Sequence, residues 1–432
     1  MNRLKIIQQI VRGLGLFTGL SLLAAFINFI FGFVMIRLLS AGEFRDLALA
    51  NNLINVFGNI FVALNVLSIA ILYLNKEHQA AVIRACQKIL YVLYASLSVV
   101  CIAFNGFVRE RTGIDDSLVL NLTLLIILCS IPVMALNATY IGVGRFTRSG
   151  VMNVVLAAGR LLFGVVGALI VAAHKDASSL AGILLIYVVA FSAFLLLDSA
   201  NSRHQSMQVF RGVWQTSVSI LGKYKKVVFG SLTYAIAISF LLGLDLLMFG
   251  RHFSNAVSAD YAAVSVIGKL VFFFFMPVSL YLAGKQQAVA AQGQHFAKRV
   301  SLGVTALVAA AVIILISLPA GLYVALLHRP AASIDDSLLT LSIVFNGAVA
   351  LLNHHLVEAI VRKRPVLAGV ASALLLIAGA ILFATFGSFA PGSLYDKSLL
   401  ALGLPATLIT VGSLILYINT HLTRKHSETL GS

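Results

Sequence analysis

Long apolar stretches follow one another through the whole chain, separated by short polar connections. Twelve of them reach the roughly 20 residues needed to cross about 30 Å of hydrocarbon as a helix. They fall at 13–36, 47–74, 89–108, 118–141, 151–173, 180–197, 227–250, 261–284, 300–327, 338–361, 366–386 and 399–419. The pattern predicts an all-α polytopic membrane protein of about 12 transmembrane helices.

Polar positions inside these stretches are few, and one set is periodic. Asn51, Asn55 and Asn59 recur every four residues along the second stretch, on one helical face. Polar groups are expensive in hydrocarbon, so a stripe of them reads as the lining of a wet cavity; bonding to a neighbouring helix is the other reading. The surrounding sequence recurs 214 residues later, where RLLSAGEFRDLALA is answered by RHFSNAVSADYAAV. At that offset Arg37 matches Arg251, Ser40 matches Ser254, Asp46 matches Asp260 and Ala48 matches Ala262, and Lys269 stands where Asn55 would be. The offset is close to half of 432 residues, which points to duplication. Two six-helix halves around a central cavity are therefore expected, 1–197 and 227–432, joined by a cytoplasmic linker at 198–226.

Composition agrees, with 60% hydrophobic and 11% charged residues and a mean hydropathy of +0.99. Basic residues number 21 in the termini and alternate loops of one side and 8 in the other loops, while acidic residues divide 3 against 10. The positive-inside rule then places both termini in the cytoplasm. It also accounts for the net charge of +16: the excess is spread over short loops facing anionic lipid, and no basic domain exists to bind nucleic acid. The charged start, Arg3, Lys5 and Arg12, precedes a run too long for a signal-peptide core, so the run is read as the first span. In the linker, Phe210, Val213, Trp214 and Leu221 share a helical face with Lys223, Lys225 and Lys226 beyond, as in an amphipathic helix on the inner leaflet.

Several chemistries are excluded. No GxxxxGK[ST] phosphate loop is present, and no pattern calls for a cofactor. Cys86, Cys101 and Cys129 form neither a disulfide framework nor a metal cluster. His354 and His355 are adjacent, so on a helix they face different directions, unlike the i,i+4 pair of a zinc helix. No catalytic residue stands out: membrane polymerases and glycosyltransferases also have many spans, but the outer loops here are short, and Asp115, Asp116, Asp335 and Asp336 read as solvated loop charges.

Four charges remain inside spans: Arg160, Lys269, Asp245 and Glu358. Each is costly at mid-bilayer unless it faces protein or water. Arg160 and Lys269 lie deep, and either binds an anionic ligand or neutralises a buried acid such as Asp245. The Arg160 guanidinium suits two-point capture of phosphate. Asp245 is a candidate for proton or Na⁺ coupling, or a partner for a cation. Glu358 precedes Arg362 by one turn, which predicts an i,i+4 ion pair. Arg37, at the outer end of the first span, is a further candidate for substrate contact, or an interfacial arginine reaching the headgroups.

The segments FVMIRLLSAGEFRDLALANNL and LDLLMFGRHFSNAVSADYAAVSVIGKL resemble the first two helices, and helices seven and eight, of oligosaccharide flippases. These belong to the multidrug, oligosaccharidyl-lipid and polysaccharide exporter superfamily. The chain departs in having Arg45 after Phe44, where such flippases have a glycine soon after the aromatic residue. Twelve spans fit the O-antigen or exopolysaccharide type better than the fourteen-span lipid II type. The resemblance implies an undecaprenyl-diphosphate-linked oligosaccharide as substrate, flipped across the bacterial inner membrane for surface polysaccharide synthesis. It implies membrane lipid, a polysaccharide polymerase and chain-length proteins as further partners. In that setting Arg160 and Lys269 would compensate phosphate charge, and Asn51, Asn55 and Asn59 would bond sugar hydroxyls. The alternatives are a drug or cation antiporter of the same superfamily and a membrane oligosaccharide polymerase or ligase.

Overall fold

The computed structural model describes residues 3–60, 62–74, 79–112, 114, 116–142, 144–172, 219, 221–285, 294–319, 322–323, 336–362, 364–389 and 394–421. Every element among them is helical. The first half contains α1 (Arg3–Leu38), α2 (Ala41–Ile60), α3 (Val62–Leu74), α4 (Gln79–Ala103), α5 (Asn105–Thr112), α6 (Ser117–Gly142) and α7 (Phe146–Ala172). The second contains α8 (Lys225–His252), α9 (Asn255–Gly284), α10 (Gln294–Ser317), α11 (Asp336–Val361), α12 (Pro365–Phe389), α13 (Leu394–Ser398) and, after a π-helical turn at Leu399–Gly403, α14 (Leu404–His421). Among the described residues, eight helices are long and apolar enough to cross a membrane, and Val92–Ala103 and Ser117–Ser130 are shorter apolar helices. The sixth expected span, 180–197, and the linker residues around Trp214 lie outside the described residues.

Two boundaries differ from expectation. The second span starts at Ala41 rather than residue 47, because Ser40 and Glu43 form a capping box before it. The Ser40 amide and hydroxyl both donate to Glu43 Oε2, at 2.9 and 2.7 Å. The third span is preceded by nearly three further turns of helix from Gln79, and its expected end falls in a separate α5.

The repeat is visible in the backbone. α1 ends at Leu38 and α2 starts at Ala41; α8 ends at His252 and α9 starts at Asn255, each 214 residues on. Ser254 is the N-cap of α9 and accepts from the Val257 amide, as Ser40 caps α2. Arg37 and Arg251 each lie over an aromatic ring at these helix ends, Phe33 at 4.2 Å and Phe383 at 5.3 Å.

Packing follows the same exchange. α1 packs on α7 as α8 packs on α12, and α4 on α6 as α10 on α11. Across the centre α1 meets α9 and α2 meets α8, the two contacts that a twofold axis through the bundle would interchange. Close approach needs small residues. A side chain on Gly268 would strike Ser342 of α11, and one on Gly230 would strike the Pro365 carbonyl at the start of α12. α9 and α11 are the most enclosed spans, whereas α10 and α12 turn large apolar side chains outward, among them Ile313, Ile314, Leu374 and Ile381. In a bilayer those faces meet lipid.

Candidate functional site

A cavity of about 390 Å³ opens where the two halves meet. Most of its wall comes from α1, α2, α6 and α7, and α9 closes the remaining side. The wall is rich in amides and carries two cations, Arg160 and Lys269; no carboxylate is among its described lining residues.

Arg160 of α7 reaches across to α1 and α2. It donates to Asn51 Oδ1 at 2.5 Å and to Asn28 Oδ1 at 3.4 Å, and its guanidinium lies 4.8 Å from the Phe31 ring centroid. Asn28 in turn donates to the Ala24 carbonyl one turn back, which orients its oxygen towards the arginine. Three helices thus hold one guanidinium at the cavity wall.

Lys269 is fixed differently. Its ammonium is 3.4 Å from Asp245 Oδ1 and donates to Asn52 Oδ1 at 3.3 Å. Asp245 is wholly buried, held by the Tyr261 hydroxyl at 3.0 Å and the Leu246 amide at 2.7 Å. Asn52 also donates to the Gly243 carbonyl of α8 at 3.0 Å. One amide of α2 therefore ties the first half to both α8 and α9. The lysine contributes to the cavity wall while its counter-ion sits behind it.

These contacts revise the sequence reading at several residues. Asp245 pairs with Lys269, so the alternative in which it neutralises Arg160 is overturned. Asn51 joins the cavity as expected; Asn55 and Asn59 belong to α2, but their side chains lie outside the described residues. Lys269 faces α2 and meets Asn52 there. Asn51 and Asn52 are about 100° apart on the helix, so one serves Arg160 and the other serves Lys269. Arg37 does not join the site: it is exposed at the end of α1, stacked on Phe33. Glu358 pairs with Arg362 at 2.8 Å, as the i,i+4 spacing predicted. Asn28 was overlooked, although a lone asparagine midway through the first span was a signal in itself.

The described residues form an all-helical bundle with twofold-related helix contacts and a polar cavity lined by two cations at the junction. No protein-family profile matches the chain, and no curated relative does. Solved structures do. The crystal structure of the eukaryotic MATE transporter AtDTX14 aligns with a TM-score of 0.66 over 96% of both chains, at 13% identity. That of a Vibrio cholerae MATE transporter VcmN mutant aligns at 0.61 over 96% of this chain and 98% of that one, at 15% identity. A MOP superfamily transporter from Pyrococcus furiosus, whose structure is described by a reverse polarity of its binding pocket, aligns at 0.63 over 94% of both chains, at 11% identity. The chain has the fold of these transporters along nearly its whole length.

Proposed function

We propose that the chain is a membrane transporter that flips an undecaprenyl-diphosphate-linked oligosaccharide across the bacterial inner membrane by alternating access, for surface polysaccharide synthesis. The observation that carries this reading is the polarity of the cavity: two cations and a set of amides in its wall, and its nearest membrane acid withdrawn behind Lys269. A sugar diphosphate needs positive charge for its phosphates and amides for its hydroxyls, and it needs shelter from hydrocarbon for both. Arg160 and Lys269 take the phosphates; Asn28 and Asn51 bond hydroxyls; the lipid tail stays in the bilayer. Asp245 is the coupling acid, because a proton on it would release Lys269 to the substrate. Both termini are cytoplasmic on this reading, from the loop charges, and polymerase and chain-length proteins act on the product.

The second reading is a drug or cation antiporter, favoured by a structural neighbour described as a multidrug resistance MATE family transporter. A cationic drug would meet two like charges in this cavity. The experiment that separates the readings replaces Arg160. Arg160→Gln is expected to abolish surface polysaccharide at normal protein level, and Arg160→Lys to restore part of it, because charge returns without the two-point fork. Drug susceptibility is expected to be unchanged in both. Full polysaccharide with altered drug susceptibility would reverse the assignment.

A further inference from the structure

A second polar cluster lies in the last turns of α11, away from the cavity. His354, His355 and Glu358 are all buried there, and one ligand atom from each lies within 4.8 Å of the others. His354 and Glu358 stand at i,i+4 and His355 and Glu358 at i,i+3, which brings all three to one side of the helix.

The protons of this cluster can be assigned. Ser279 of α9 donates its hydroxyl proton to the Phe275 carbonyl at 3.1 Å. Its oxygen is 3.3 Å from His354 Nδ1, so that nitrogen carries the hydrogen and donates. In the neutral ring Nε2 then holds a lone pair. Nε2 faces Ser301 Oγ of α10 at 3.3 Å, and Ser301 donates its one proton to Glu358 Oε2 at 2.8 Å. His354 Nε2, Ser301 Oγ and Glu358 Oε2 therefore converge at one place. A metal ion there would engage the nitrogen and carboxylate lone pairs together.

We propose that His354, His355 and Glu358 bind a divalent transition-metal ion of the zinc, cobalt or nickel class. Two imidazoles and one carboxylate are a donor set of that class, and nitrogen donors disfavour calcium and magnesium. Ser279 on Nδ1 is the outer partner that a metal-bound histidine commonly has. Ligands about 2.1 Å from a tetrahedral ion stand roughly 3.4 Å apart, so the outermost pair must draw in by about 1.4 Å. Arg362 competes for the same carboxylate at 2.8 Å. It sits at the end of α11 on a long stem, partly exposed, and can withdraw towards lipid headgroups when the ion enters.

The test uses the full-length protein in detergent, purified without a histidine tag and stripped with chelator, and titrated with Co²⁺ while its visible d–d absorption is read. One saturating ion per chain, displaced by Zn²⁺, is expected. His354→Gln and Glu358→Gln should each weaken it at least about tenfold. Arg362→Ala should tighten it, because the competing charge is gone. No saturable spectrum overturns the proposal. So does a spectrum indifferent to His354→Gln and Glu358→Gln, which would place the ion on other histidines. If those two variants fail to fold, Arg362→Ala decides alone: unchanged or weaker affinity refutes the site. None of these readouts involves transport, so the cavity assignment stands or falls separately.

Discussion

Removing the charge of Lys269 while keeping its bulk, as in Lys269→Met, strands Asp245 in a fully buried position. The pair stands 3.4 Å apart, and at an effective dielectric constant of about 20 its Coulomb attraction is on the order of 5 kcal/mol. Breaking a buried pair on one side costs about 3–5 kcal/mol. Asp245 retains the Tyr261 hydroxyl and the Leu246 amide, so the expected loss is at the lower end, about 3 kcal/mol. Asp245→Asn should cost less, about 1–2 kcal/mol, since Lys269 keeps Asn52 and borders the cavity. The double variant removes both charges and should recover most of the stability lost in Lys269→Met. Unfolding in mixed micelles with increasing SDS measures all four proteins. If Lys269→Met lies within about 1 kcal/mol of the parent, or the double variant is no better than its worse single, the pair does not act as described. Surface polysaccharide adds the functional half: a stable double variant without polysaccharide gives the pair a part in transport, and a stable double variant with full polysaccharide makes the pair structural.

Three further outcomes are expected. Gly268→Ala should destabilise by about 1–3 kcal/mol, because the added methyl meets Ser342 and α9 must part from α11; thermal unfolding of the purified protein checks it. Ser40→Ala and Ser254→Ala should each cost about 1 kcal/mol, the larger loss at Ser40, whose side chain and amide both engage Glu43; the same melts measure the difference. A cysteine at Ser117, between the third and fourth spans, should be labelled from the periplasmic side, and labelling only from the cytoplasmic side would overturn the orientation.

Some of this was legible along the chain because it depends on local spacing. Helix class follows from apolar length, the Glu358–Arg362 pair from a one-turn spacing, and the equal registers of Ser40 and Ser254 from a constant offset. What stayed hidden depends on how one helix is rotated against another. Asn52 looked less regular than the stripe of Asn51, Asn55 and Asn59, yet the packing of α2 against α8 and α9 makes it the residue that bridges the halves. The choice between Arg160 and Lys269 as partner of Asp245 was of the same kind: both are mid-span cations, and only the contact of α8 with α9 selects the lysine. Arg37 was misleading because its register matches Arg251, and both turn out to share a place at a helix end rather than a place in the cavity. His354 and Glu358 were each explained singly by the sequence, and their meeting with Ser301 and Ser279 required α9 and α10.

The equal registers of the two helical hairpins also separate what the halves share from what they do not. Caps and end arginines coincide at 214 residues, but the positions answering Asp245 and Lys269 are Phe31 and Asn55. The two hairpins share their registers and not this pair of charges. A chimaera built from two first halves would preserve the hairpins and lose the ion pair, and one built from two second halves would lose Arg160. Each half is thus a spare for the other's backbone and for none of its chemistry, so a single lesion at the cavity has no understudy elsewhere in the chain.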